Sequence, residues 1–178
     1  MTGEDYKNGQ ILLIDKPLEW TSFQAVNKIR WHIRQRFNIK KIKVGHAGTL
    51  DPLATGLLIV CTGEFTKTID KLQAEIKEYT GIITLGATTP SYDLETEINQ
   101  TFPTTNISDS DVYKTTKLFL GGIEQTPPLY SAIKKDGIRL YEFARKGESI
   151  AIKSRKIQIY EFEITEIDMP NVSFRIVC

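Results

Sequence analysis

A glycine-rich stretch, residues 45–56, carries the side chains of this chain whose types and spacing best suit chemistry. It places one carboxylate, Asp51, directly before Pro52 and just ahead of an apolar run. Glycines allow sharp turns and a close approach of backbone to a ligand, and a residue before proline is biased toward extended geometry. The same residues also fit a helix start, with Asp51 as the N-cap and Pro52 at the first helical position. The spacing alone leaves both interpretations open.

His46 lies in the same stretch, and a His/Asp pair can act as acid and base or bind a metal. His32 is the only other histidine, so the sequence offers too few ligands for a zinc site. It contains no serine nucleophile elbow, P-loop or dinucleotide-binding glycine motif. What remains is a carboxylate that works as a nucleophile or electrostatic partner, and nothing here requires a metal or an organic cofactor.

Several strands and helices must position this stretch. The patterning predicts strands over residues 11–15, 57–62, 77–85, 129–133, 153–164 and 172–178. It predicts helices that begin at Thr21 or Ser22, after Ser108, and over residues 140–145, with the first helix burying Phe23, Val26, Ile29, Ile33 and Phe37. This irregular alternation favours an α+β fold with a mixed, largely antiparallel sheet flanked by helices.

Composition suits one globular domain: 178 residues, 40% of them hydrophobic and 25% charged. Cys61 and Cys178 lie far apart and match no metal-ligand spacing. No apolar run approaches the length of a signal core or a membrane span, so we expect a cytoplasmic protein without a membrane partner.

Charge is unevenly distributed although the formal net charge is only +1. Residues 28–43 hold seven basic side chains and no acid, whereas residues 91–112 hold five acids and no base. Residues 134–156 hold eight basic side chains against three acidic ones. Such runs fit either phosphate contacts or an ordinary solvated face, and charge alone does not choose.

Several blocks of the sequence match those of a known family and follow the same order. They favour a catalytic loop over a simple helix start, and phosphate contacts over an ordinary solvated face. The stretch 45–56 reads GHAGTLDPLATG and continues as LLIVCTGEFTK, while ILLIDKP precedes it. KEY follows at residues 77–79, PLYSAIK at 128–134 and LYEFARKG at 140–147. Together these blocks resemble the TruB family of tRNA pseudouridine-55 synthases, which isomerise the T-loop uridine. The resemblance implies the fold of a pseudouridine synthase catalytic domain and a tRNA T-arm as the partner.

The resemblance also implies roles for individual side chains. Asp51 matches the family's catalytic aspartate, and Tyr79 matches the tyrosine that stacks on the flipped-out base. His46 matches the histidine that fills the space which the uridine leaves in the T-loop. Asp93 falls where the family has an aspartate that contacts the tRNA loop, although its surroundings depart from the usual wording.

Further contacts with the substrate are expected around these positions. The resemblance implies substrate contacts from the loop residues next to Asp51 and from one downstream aromatic, namely Gly48, Thr49, Leu50 and Tyr130. Phosphate contacts are expected from the basic face of the first helix and from three cations near the second basic cluster, namely Lys134, Arg145 and Arg155.

In the family, a strand like residues 172–178 is followed by an S-x-G-T-Y-I-R motif whose arginine pairs with the catalytic aspartate. This chain ends at Cys178, ahead of that motif. We therefore expect residues 1–178 to be the N-terminal part of a catalytic domain, incomplete at its C-terminus, without the C-terminal RNA-binding domain. We expect a monomer that is inactive or weakly active unless a second chain complements it. A module that binds the tRNA elbow without turnover is the alternative.

Overall fold

The computed structural model describes residues 1–131, 133–135, 137–145 and 150–178. The chain forms two compact units, Met1–Glu75 and Ile76–Cys178. The assignment of residues 1–178 to part of one catalytic domain stays a prediction. No helix in the described ranges is long and apolar enough to cross a membrane.

The first unit is a three-stranded antiparallel sheet with a helix on one face. Its elements are α1 (Gly3–Asn8), β1 (Ile11–Lys16), α2 (Ser22–Phe37), β2 (Val44–Ala47), β3 (Gly56–Thr62), a 3₁₀ segment (Gly63–Thr68) and α3 (Ile69–Gln73). β3 lies in the centre, between β1 and β2. The core packs α2 against the sheet through Ala25, Val26, Val44, Leu58 and Val60. This packing fixes where the ends of the strands and the start of the helix lie.

Helix α2 begins at the predicted position. Thr21 is the N-cap, and its side chain accepts a hydrogen bond from the Gln24 backbone N–H while the Gln24 side chain accepts one from the Thr21 N–H. This reciprocal pair satisfies two amides that a helix start leaves without partners. Val26 and Ile33 are buried as predicted, but Phe23 is 59% exposed. The expectation for Phe23 was wrong because its position is rotated away from the line through Val26 and Ile33.

The second unit is built from antiparallel pairs. Its elements are β4 (Glu78–Thr84), β5 (Ala87–Thr88), β6 (Gln100–Thr101), α4 (Asp109–Lys117), β7 (Gly121–Gln125), β8 (Lys134–Lys135), β9 (Ile138–Arg139), α5 (Leu140–Arg145), β10 (Arg155–Ile159), β11 (Glu161–Asp168) and β12 (Asn171–Val177). β12 lies between β11 and β4, while β5–β6, β7–β10 and β8–β9 form two-stranded ribbons. Every strand pairing among the described residues is antiparallel, which confirms the α+β class.

Two predicted strands of this unit were wrong. The strand predicted over residues 153–164 is divided at Tyr160, because β10 pairs with β7 while β11 pairs with β12. Residues 129–131 form a bend instead of a strand, and the Ser131 N–H donates to the Leu129 carbonyl at 3.0 Å. Ala132, in the middle of that prediction, lies outside the described residues. Pairing partners distant in sequence decide both outcomes, and local patterning does not report them.

Candidate functional site

Asp51 lies on the connection between β2 and β3 and is exposed. No helix follows it, because the chain turns back at once: the Ala54 N–H donates to the Asp51 carbonyl oxygen at 3.0 Å, and β3 begins at Gly56. The interpretation of Asp51 as a helix N-cap was therefore wrong. Gly48 and Gly56 bracket the loop with φ values of 98° and 112°, a region that favours glycine over other residues.

Ser22 anchors this loop from the first residue of α2. Its Oγ accepts a hydrogen bond from the Leu50 N–H at 2.9 Å and donates one to the Leu50 carbonyl oxygen at 3.1 Å. Ser22 is 3% exposed, so both bonds are shielded from water. One buried hydroxyl thus holds both backbone groups of the residue that precedes Asp51.

A second anchor lies on the other side of Asp51. The Glu19 N–H donates to the Pro52 carbonyl oxygen at 2.7 Å. Glu19 itself has a φ of 66°, in the left-handed region, and this conformation belongs to the turn that joins β1 to α2. The β1–α2 connection therefore holds the loop immediately before and immediately after the carboxylate.

Lys16, at the end of β1, supplies a buried positive charge near this carboxylate. Its side chain is fully buried, and Nζ donates to the carbonyl oxygens of Pro17 at 3.0 Å and Trp20 at 2.6 Å. Burial lowers the pKa of Lys16, and the negative charge of Asp51 acts in the opposite direction. The charge of Asp51 therefore acts on a buried lysine of this chain.

His46 stabilises the start of the same loop. It lies on β2 opposite Val60, and its Nδ1 donates to the carbonyl oxygen of Gly48 two residues later. Thr49, like Asp51, is exposed, whereas Leu50 is partly buried and packs at the edge of the core. Five predicted site residues of the first unit thus share one short loop and the strand that leads into it.

Tyr79 belongs to the second unit and lies on β4, opposite Ile176 of β12. Its side chain is 42% exposed. Burial of the ring raises the pKa of Tyr79, and the electrostatic influence of Cys178 acts in the same direction. The phenol therefore keeps its proton at neutral pH and can donate a hydrogen bond.

Asp93 lies in an exposed loop that is closed by its own hydrogen bonds. Asp93 Oδ1 accepts from the Glu95 N–H at 2.9 Å, which is a local turn of the kind that aspartate favours. The Asp93 carbonyl oxygen accepts from the Thr89 hydroxyl at 2.7 Å, and the Ser91 and Thr96 hydroxyls bond each other at 2.7 Å. The Asp93 carboxylate therefore stabilises its own loop, and its contact with RNA stays a prediction.

The other predicted contacts of the second unit are only partly described. Tyr130 is partly buried in the bend after Pro128, and Arg155 is exposed on β10. Arg155 is oriented by Gln125 of β7, whose Oε1 accepts from Nε at 3.2 Å and from Nη2 at 3.0 Å. The side chains of Lys134 and Arg145 lie outside the described part of the chain.

Sequence reasoning missed three polar residues that organise these regions: Lys16, Ser22 and Arg175. Arg175 of β12 pairs with Glu78 of β4 at 2.7 Å and Glu161 of β11 at 2.5 Å, so it joins all three strands of its sheet. The only sequence signals for them were the Lys-Pro pair at the end of β1 and the Thr-Ser pair at the start of α2. In the described ranges, no three His, Cys, Asp or Glu side chains are grouped to hold a metal.

Comparisons with known proteins converge on one family. The family described as "TruB family pseudouridylate synthase (N terminal domain)" matches residues 34–178. The chain is 63% identical to a tRNA pseudouridine synthase B of Flavobacterium johnsoniae over all of its length and 78% of that protein. It is 52% identical to one of Phocaeicola vulgatus, over 98% of this chain and 74% of the relative.

A solved structure shares the fold. A chain from the crystal structure of a Cbf5-Nop10-Gar1 complex is 26% identical and superposes with a TM-score of 0.65. The match covers 97% of this chain and 40% of that larger chain.

Proposed function

Because the chain belongs to the TruB family of pseudouridylate synthases, we propose that it converts uridine 55 in the T-loop of tRNA to pseudouridine. The observation that carries this proposal is the position of Asp51. Its carboxylate is exposed on a loop whose backbone is tied down on both sides, at Leu50 and at Pro52. A reactive group held in this way loses little freedom when the substrate binds.

The reaction is an isomerisation that needs no oxidant, reductant or cofactor. The bond between C1′ of the ribose and N1 of uracil breaks, the detached base rotates, and a bond forms between C1′ and C5. The proton of C5 leaves and N1 gains a proton, so atoms and electrons balance. Asp51 is proposed as the nucleophile, since an ionised carboxylate can form a transient covalent bond to carbon.

The base must leave the RNA stack before it can react. Tyr79 is proposed to stack on the extruded base, and its protonated phenol is suited to donate a proton or a hydrogen bond. His46 is proposed to fill the space that the uridine leaves. Gly48, Thr49 and Leu50 are proposed to contact the substrate beside Asp51.

RNA contacts farther along the chain are also part of the proposal. Asp93 and Tyr130 are proposed to contact the tRNA loop, and Lys134, Arg145 and Arg155 its phosphates. We propose that the protein works as a monomer in the cytoplasm. Charge reversal at Lys134 and Arg155 is expected to weaken tRNA binding and to flatten its salt dependence.

Tritium release tests the proposed reaction directly. A T-arm stem-loop that carries tritium at C5 of its uridines is incubated with the protein, and tritium in water is counted. We expect release with the wild type, weak for residues 1–178 alone, and loss of that release in Asp51→Asn, since the nucleophile is removed. Asp70→Asn is the matched control, because Asp70 is an exposed acid of the same unit. Binding without release by the wild type would contradict the proposal and favour a module without turnover.

A further inference from the structure

One strongly basic groove of the first unit combines cations of α2 with lysines that lie beyond the C-terminus of that helix. It is a groove open to solvent with a volume of about 570 Å³, lined by five cationic side chains and one apolar residue, namely Arg30, Arg34, Lys40, Lys41, Lys43 and Ile42. Residues 20–50 contain no Asp or Glu at all. We propose that this groove binds backbone phosphates of folded RNA at a distance from the reacting nucleotide, an inference that rests on the function proposed above.

The groove is formed because α2 ends in a reversal of the chain. Asn38, the C-cap, has a φ of 51°, and the buried Ile39 then donates its N–H to the Arg34 carbonyl oxygen at 3.1 Å. This reversal brings residues 40–43 back beside the last turns of α2. Cations from a helix and from the segment after it therefore face one another across a single groove.

Two of these cations are already oriented. Arg30 donates from Nη1 to the Asn27 side-chain oxygen at 2.7 Å and from Nη2 to the Val44 carbonyl oxygen at 3.0 Å. Arg34 donates from Nε to the Ile39 carbonyl oxygen at 3.4 Å. These acceptors are uncharged, so they position the guanidinium groups without neutralising them. Arginine held in this way offers its remaining N–H groups to a phosphate.

The helix dipole of α2 explains only some of the basic residues in this region. Basic residues in the last turn of a helix complement its dipole, which explains Arg34 and Arg36. It does not explain Lys40 and Lys41, which are exposed and lie beyond the helix. Lys43 has a partial counter-charge in Glu64, whose pKa is lowered chiefly by Lys67 and also by Lys43. The clustering of the remaining cations in one groove therefore indicates an anionic ligand.

Helix geometry sets the distance between the groove and the reacting carboxylate. Ser22 at the start of α2 holds the residue before Asp51, and Arg34 lies twelve positions along the same helix. At the usual rise per residue this is roughly 18 Å. A lone nucleotide cannot span that separation, whereas a stem-loop can, so the groove is expected to select for RNA with a stem beside the target loop.

The test compares exposed groove lysines with lysines that already have acidic partners. The variant Lys40→Gln/Lys41→Gln removes two exposed charges from the groove. The control Lys7→Gln/Lys67→Gln removes two charges of the same unit that pair with Glu4 and Glu64. Binding of a fluorescent T-arm stem-loop is followed by anisotropy over a range of salt concentrations, using the full chain.

We expect the groove variant to lower the slope of log affinity against log salt by about 2, since about one ion is released for each phosphate contact. The control is expected to keep the wild-type slope. With the same loop on a shortened stem, the wild type and the groove variant should bind equally. Equal slopes for the groove variant and the control on the full stem, or no RNA binding by the wild type, would overturn the proposal.

Two further measurements separate the possible failures. Tritium release at saturating RNA should persist in the groove variant. If the wild type binds RNA with the expected salt slope but releases no tritium, the proposed reaction is wrong and the groove proposal stands. Sedimentation with vesicles of phosphatidylserine and phosphatidylcholine tests a lipid surface as the source of phosphate. If the groove variant lost vesicle binding and kept the wild-type RNA slope, the RNA proposal would be wrong.

Discussion

Two loops of this molecule each present an exposed aspartate, and they are built in opposite ways. The loop of Asp51 closes its turn through the main-chain carbonyl of that residue and is held by Ser22 and Glu19 from a distant segment. The loop of Asp93 closes through the carboxylate itself and through hydroxyls within the same few residues. The first turn closes through the main chain and is held by a segment distant in sequence. The second uses its carboxylate to keep its own shape.

The largest expected effect on stability comes from the anchors of the two loops. Ser22→Ala leaves the N–H and C=O of Leu50 without their buried partner, and we expect a loss of about 2–4 kcal/mol in the free energy of unfolding. Ser91→Ala in the other loop should lose only about 1 kcal/mol, because the Thr89 hydroxyl still donates to the Asp93 carbonyl. Urea denaturation measures both values.

Hydrogen exchange shows whether the first of these losses is local. The Leu50 amide should exchange faster in Ser22→Ala, while amides in the centre of β3 keep their relative protection. Equal costs for the two serine variants, or an unchanged Leu50 amide, would remove the distinction between a loop held from afar and a loop that holds itself.

Backbone strain at Gly48 gives the next effect. Its φ is 98°, and an added Cβ would meet no atom within 4 Å, so Gly48→Ala tests conformation without a clash. We expect a loss of about 1–2 kcal/mol. Gly63→Ala is the comparison, since its Cβ would lie 2.0 Å from the Lys7 carbonyl oxygen. If Gly48→Ala cost as much as Gly63→Ala, the loop would be more tightly enclosed than the structure shows.

The charge contact of the Asp51 loop gives a smaller, pH-dependent effect. Asp51→Asn removes the charge that raises the pKa of Lys16, so that pKa should fall further below its ordinary value of 10.5. At pH values between the pKa of Lys16 in the folded protein and its higher pKa in the unfolded chain, the unfolded chain binds more protons. The free energy of unfolding therefore rises with pH over this range, and Asp51→Asn makes the range wider. Titration of the lysine Cε signals by NMR measures the shift. The same titration in Asp93→Asn should leave Lys16 unchanged.

The smallest effect is expected at Asp93. Asp93→Ala removes one exposed hydrogen bond to the Glu95 N–H, which should lower the free energy of unfolding by about 0.5–1 kcal/mol. Thermal unfolding of Asp93→Ala beside the wild type measures this loss.

Features that depend on neighbours in sequence were predicted well. Thr21 and Ser108 cap α2 and α4 as predicted, because each capping box closes within three residues. The strand predicted over residues 57–62 is observed as β3, since its apolar run needs burial in any fold. Resemblance of several blocks identified the family, which the match to residues 34–178 confirms.

Features that depend on distant partners were missed. The N-cap interpretation of Asp51 used only its local spacing, whereas hydrogen bonds from Glu19 and Ser22 hold that loop in another conformation. The division of residues 153–164 into β10 and β11 follows from two different partner strands. Propensity carries no information about which strand lies alongside.

The sequence by itself determined the family and the starts of α2 and α4, and the family resemblance predicts Asp51 as the nucleophile. Only the tertiary structure decided the surroundings of Asp51: the buried hydroxyl of Ser22, which lies 28 residues before Leu50, and the buried side chain of Lys16. Lysine side chains are ordinarily exposed, so the local sequence around Lys16 does not predict that it is buried. Folding of β1 and α2 against β3 buries the Lys16 side chain within the electrostatic influence of Asp51. This packing sets the electrostatic environment of the site.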